Sequence, residues 1–113
     1  MTVSERRGII SAGTWALDRL KLIDSWPQEE HLARIIDTDM QGGGSGHNLG
    51  VDIRSLDPSL PVEAIGLVGT DSDGDFLIDK AAAAGIDVTQ LHRSGDERTS
   101  YTCLLYTSDA ADE

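Results

Sequence analysis

The segment Pro61-Val62-Glu63-Ala64-Ile65-Gly66-Leu67-Val68-Gly69 limits the fold of this chain more than any other. It is a short, largely apolar run closed by glycine, as expected of a strand buried within a layered domain. A helical stripe follows it closely. From Asp75 onwards Phe76, Leu77, Lys80, Ala81 and Ala84 recur at helical spacing, and residues 70–74 form the turn that separates strand from helix. Gly85 stands where a left-handed residue closes a helix, and residues 86–88 turn the chain.

An equivalent arrangement comes earlier. Gly8-Ile9-Ile10-Ser11-Ala12-Gly13 is a second apolar run ended by glycine and reads as strand one. Leu49, Ile53 and Leu56 then mark a helix that must stop before Asp57-Pro58, because the residue before proline disfavours the α region, while Val51 fits either period. The βαβα order predicts an α/β domain with a mainly parallel sheet flanked by helices. Between strand one and that helix, residues 18–23 and 31–40 are weakly patterned, with Leu20 and Leu22 alternating against Arg19 and Lys21 before a break at Trp26-Pro27. They predict a small two-stranded β flap with one wet face, under which Trp15 and Trp26 are expected to pack.

Bulk properties exclude several function classes. With 113 residues, 39% hydrophobic and 26% charged, the chain has room for one modest domain. Its 9 Lys and Arg stand against 20 Asp and Glu, and the net charge of -11 is spread along the chain, which argues against nucleic-acid and anionic-membrane partners. No run approaches a membrane span, and the N-terminus has no signal-peptide core, so a cytoplasmic location is expected. The single Cys103 can form neither an internal disulfide nor a cysteine-based metal site.

The chemistry gathers around Gly42-Gly43-Gly44-Ser45-Gly46-His47-Asn48, where glycines let the backbone approach a ligand and a helix N-terminus offers N–H groups. The cluster lacks the Lys-Ser/Thr ending of a phosphate-binding P-loop, and it follows the flap rather than the first strand. Asp71, Asp73 and Asp75 around Gly74 invite a calcium reading. Placing Gly74 at the sixth position of an EF-hand loop puts Gly69 at the first and Lys80 at the twelfth, where carboxylates are required, so a turn with an acidic helix start explains them better.

Gly13-Thr14-Trp15-Ala16-Leu17-Asp18, the glycine cluster ending in Asn48, Ile65-Gly66-Leu67-Val68-Gly69-Thr70-Asp71 through Gly74, and Ala84-Gly85-Ile86-Asp87 together resemble the N-terminal signature of the ribokinase-like (PfkB) carbohydrate kinases. The resemblance implies the N-terminal part of a ribokinase-like α/β fold, with the flap as a lid. It also implies transfer of the ATP γ-phosphoryl group, with Mg²⁺, to a hydroxyl of a sugar or polyol. The acceptor would be held by Asp18 and Asn48 and would lie against Gly43 and Gly44, with Ser45 and His47 as secondary candidates. A carboxylate accepting from two hydroxyls and an amide that both donates and accepts suit that task. Ala16, Ser45 and His47 depart from ribokinase itself, so a ribose acceptor does not follow. For His47 a solvent-facing place at the helix start is the commoner fate.

The same resemblance places the catalytic aspartate, the nucleotide pocket and the metal in a C-terminal half that this sequence does not contain, and it implies a homodimer paired through the flap. A nucleoside or vitamin-precursor acceptor, or a non-catalytic sugar-binding module, are the alternatives. Residues 103–113 resemble the conceptual translation of a sequencing adapter, which divides the chain into an acceptor-binding part over residues 1–102 and an artefactual tail, the alternative being a genuine short C-terminal strand and tail.

Overall fold

The computed structural model describes residues 6–108. Within them the order is β1 (Ile9–Ala12), β2 (Ala16–Ile23), β3 (Ile35–Gly43), α1 (Ser45–Leu56), β4 (Val62–Gly69), α2 (Ser72–Ala83), β5 (Asp87–Ser94) and β6 (Ser100–Tyr106). They form two three-stranded sheets, ordered β1-β4-β5 and β3-β2-β6. The chain divides correspondingly into an α/β unit, residues 6–17 and 42–100, and a flap unit, residues 18–41 and 101–108.

The sheet of the α/β unit is parallel throughout, with Ile9 opposite Val62, Ala12 opposite Ile65, and Leu67 opposite His92. The period of two along β4 explains its burial. Val62, Ala64 and Val68 face the helices and join Leu77, Ala81, Ile86, Leu91 and Trp15 in one core, whereas Ile65 and Leu67, pointing the other way, are exposed. Val51 and Ile53 from α1 and Phe76 and Ile78 from α2 close over that core.

Both helices begin earlier than the apolar stripe alone predicts. Asp71 caps α2: its side chain accepts from the Gly74 N–H, which satisfies one of the donors that a helix start leaves open and moves the first turn back into residues 72–75. Asp73 and Asp75 then sit in the first turn and Lys80 in the last, the charge order that the helix dipole favours. Gly85 has φ of 85° and ends the helix as expected. α1 ends at Leu56, immediately before Asp57-Pro58.

Two strands lie outside the sequence-based expectation. Residues 87–94 form β5, which the sequence does not announce beyond the turn expected over residues 86–88, since Val88 and Leu91 are the only apolar side chains in that strand. β6 spans Ser100–Tyr106 and pairs with β2, so the flap has three strands rather than two and its third strand crosses Thr102. β3 begins at Ile35 instead of His31 and continues into the glycine cluster as far as Gly43. Trp15 is buried in the core, but Trp26 is exposed and does not pack under the flap. The tail beyond Ser108 lies outside the described residues.

Candidate functional site

The carboxyl ends of β1 and β4 and the start of α1 meet around one loop. α1 has no side-chain cap at its N-terminus; the loop after β1 supplies the partner instead, with the Thr14 carbonyl accepting from the Gly46 N–H at 3.0 Å and the Thr14 N–H donating to Ser45 Oγ at 3.4 Å. Ser11, fully buried on β1, donates its hydroxyl to the Gly46 carbonyl at 2.6 Å. A cavity of about 460 Å³ opens here, lined by Gly13, Thr14, Trp15, Ser45, Leu67 and Arg98 among others. Its place at the carboxyl ends of parallel strands is where α/β folds bind ligands. A second hollow of about 390 Å³, between Arg6, Arg7, Pro61 and Asp87, lies at the amino ends of the same strands.

The glycines of the cluster have specific reasons to lack side chains. Gly44 has φ of 92°, and a Cβ there would run into the Thr14 carbonyl, so backbone geometry requires glycine at this position. Its neighbours serve two rings. The His47 imidazole occupies the space that a Cβ on Gly42 would fill, and the Trp15 indole lies 2.5 Å from where Cβ atoms on Gly46 and on Gly66 would stand. The rings meet edge to face, with centroids 5.7 Å apart at 88°. At Gly42, Gly44 and Gly46 protein atoms already fill the space that a side chain would take. Trp15 Nε1 is buried with no hydrogen-bond partner among the described residues.

The sequence-predicted residues fall as follows. Ser45 and Asn48 are exposed and His47 is half-buried, all in the first turn of α1, while Gly43 is the buried last residue of β3. His47 does not face solvent as a free helix-start side chain: its Nδ1 lies 2.9 Å from Asn48 Oδ1. Asp18 is half-buried on β2 of the flap unit, and its carboxylate has no hydrogen-bond partner among the described residues.

A second polar cluster was not legible in the sequence. Thr99, almost fully buried, accepts from the Gly69 N–H at 2.8 Å and donates its hydroxyl to Asp71 Oδ1 at 2.6 Å, while its own N–H donates to Asp71 Oδ2 at 2.9 Å. These donors, with the Gly74 N–H, hold the Asp71 carboxyl down at a pKa of about 2. Arg93 adds a bond to the Gly69 carbonyl at 2.9 Å and an ion pair with Asp75 at 2.8 Å. Asp71 and Asp75 thus have structural employment, and the signal that could have found it is the Asp71/Gly74 capping spacing.

Comparisons place this arrangement in a known fold. The ribokinase of Thermotoga maritima superposes with a TM-score of 0.81 at 19% identity, over 92% of this chain and 34% of its own. The nucleoside kinase of Methanocaldococcus jannaschii, an archaeal member of the ribokinase family, does so at 0.78 and 22%, again over 92% and 34%. The ribokinase of Cryptococcus neoformans, solved with ADP, gives 0.73 and 18%, over 92% and 32%. The fold is that of the ribokinase-like kinases, and this chain spans about a third of the length of these relatives. The sequence model of the pfkB family carbohydrate kinases matches residues 15–113, and the chain belongs to that family.

Proposed function

We propose that this chain is the acceptor-binding part of a kinase that transfers the γ-phosphoryl group of ATP to a hydroxyl of a sugar or sugar-like polyol. Asp18, Gly43, Gly44 and Asn48 are the residues assigned to the acceptor, with Ser45 beside them. The observation that carries this reading is the docking of the β1 loop on the start of α1. The Thr14–Gly46 and Thr14–Ser45 bonds hold the first turn of α1, which carries Asn48, against the loop after β1, and Ser45 of that turn lines the cavity there. An amide held there can donate to one hydroxyl and accept from its neighbour.

The remaining parts of the reaction fall to the longer protein. Among the described residues no group of three or more His, Cys, Asp or Glu side chains is arranged to hold a metal ion, and we assign the Mg²⁺ that accompanies ATP, held chiefly by phosphates and water, to the nucleotide side of the longer protein. Phosphoryl transfer depends on positioning and electrostatic stabilisation of the moving phosphoryl group, and a segment that holds only the acceptor has negligible activity on this account. Among the described residues no helix is long and apolar enough to cross a membrane; a cytoplasmic location is part of the proposed reading and does not follow from that. Exposed Ile35, Ile36 and Met40 on β3 support pairing of two flaps in a homodimer.

The test is a panel of pentoses, hexoses, polyols and nucleosides offered with ATP to the full-length enzyme, read as acceptor-dependent ADP release. Turnover of a sugar or polyol is expected. Turnover of nucleosides alone would move the assignment to the nucleoside kinases, a reading that the Methanocaldococcus relative supports. Saturable sugar binding without ADP release would favour a non-catalytic module.

A further inference from the structure

Asn48 can present either its carbonyl or its amino group to an acceptor, and something must fix that choice. His47 is placed to do so. Its Nδ1 stands 2.9 Å from Asn48 Oδ1, a contact that requires the proton on Nδ1 if the oxygen is the accepting atom. The ring is held by two features unrelated to Asn48. Its edge packs on the buried Trp15 indole, the absent side chain of Gly42 leaves the space that it fills, and Trp15 is seated in turn between Gly46 and Gly66.

We infer that His47 is a positioning residue for the acceptor site: its Nδ1–H engages the Asn48 carbonyl and leaves the Asn48 amino group free to donate to an oxygen of the bound acceptor. The inference rests on the assignment of Asn48 to the acceptor. It also gives the glycines a division of labour that the sequence does not show. Gly42 and Gly46 serve the two rings that orient Asn48, so the ligand need not touch them. It points to an acceptor whose contacting group is a hydrogen-bond acceptor, such as an ether, carbonyl or hydroxyl oxygen.

Two substitutions separate the donor from the ring. His47→Phe keeps an aromatic edge against Trp15 and removes the Nδ1 proton, whereas His47→Asn keeps an N–H near the Nδ1 position and removes the ring. In the full-length enzyme His47→Phe is expected to raise the acceptor KM roughly three- to tenfold, the loss of one hydrogen bond, with the ATP KM unchanged. His47→Asn should recover most of that loss. Equal effects of the two variants, or none from His47→Phe, would overturn the inference.

A measurement on the unaltered enzyme guards against misfolded variants. Two-bond ¹H–¹⁵N correlations of the His47 ring should show a proton on Nδ1; a proton on Nε2 alone would mean that the amide is turned the other way and would overturn it too. Asn48→Ala keeps the two levels apart. An unchanged acceptor KM in that variant removes the site assignment itself, whereas a raised KM there beside an unaffected His47→Phe removes only the role of His47.

Discussion

The α/β unit and the flap unit are built from strands of similar length, yet they bury very different amounts. In the α/β unit Trp15, Leu77, Ala64 and Ala81 are at most 1% exposed, and two helices cover one face of the sheet. In the flap, Ile23 is the only buried residue among those described, and Ile35, Ile36, Tyr101, Leu104 and Leu105 are all exposed. Polar and cation–π contacts hold the flap's edges: the Asp24 side chain accepts from the Arg34 N–H at 3.1 Å, and the Arg19 guanidinium lies 5.2 Å from the Tyr101 ring centre. One unit has a core of its own and the other depends on what eventually covers it. That contrast fits the proposed reading, in which the first unit holds the acceptor and the flap gains its stability from a ligand or a partner.

The largest expected effect concerns the chain on its own. Its sheet carries exposed Ile10, Ile65 and Leu67 on the face that α1 and α2 leave bare, and its flap carries more exposed apolar surface. Expressed alone, the 113-residue chain should bind hydrophobic dyes and melt broadly or aggregate. A sharp cooperative melt of a soluble monomer would contradict this and would favour an independent binding module.

Within the full-length enzyme the contrast becomes a matched pair. Trp15→Ala should cost about 3–5 kcal/mol in denaturant unfolding, because it empties a fully packed site, while Leu32→Ser on the flap, at an exposed position outside β3, should stay within about 0.5 kcal/mol. Comparable losses at both positions would show that the flap has a core of its own. Gly44→Ala should cost on the order of 1–3 kcal/mol, since a side chain must occupy left-handed backbone and displace the Thr14 carbonyl. A lost acceptor affinity with an unchanged melting temperature in that variant would instead show that contact with the ligand, not backbone strain, is what requires glycine there.

The smallest effect is a dependence on pH. The Asp71 carboxyl is held near 2 by Thr99 and the Gly74 N–H, below its ordinary 3.8, so its stabilising contribution is complete above the ordinary value and disappears as pH falls through the folded one. The melting temperatures of the parent and of Asp71→Asn should therefore differ at neutral pH and converge between about pH 4 and pH 2. Parallel curves over that range would show that the carboxylate is not the group that titrates.

Much of this fold could be read from local pattern. β1, β4, the apolar stripe of α2 and the stop of α1 before Pro58 follow from periodicity and from glycine and proline punctuation, which report local geometry directly. β5 escaped because only Val88 and Leu91 interrupt its polar sequence, at the edge of the described sheet. β6 escaped because residues 103–106 were set apart with the adapter-like tail, although they complete a strand. At the site, the residue types were legible and their neighbours were not. That Gly42 and Gly46 make room for His47 and Trp15, and that Thr99 fastens Asp71 from 28 positions away, are long-range packing facts without a local signature.

The assignment of this segment to the acceptor is tested most directly by Asp18→Ala in the full-length enzyme, with acceptor affinity and nucleotide affinity titrated side by side on one preparation. Asp18 stands half-buried on β2, and its carboxylate has no hydrogen-bond partner among the described residues to lose. The account predicts an acceptor affinity weakened by about 1.5–3 kcal/mol, the range for a hydrogen bond to a charged group, beside an unchanged affinity for ATP. An equal loss of both affinities, or no loss of either, would contradict it.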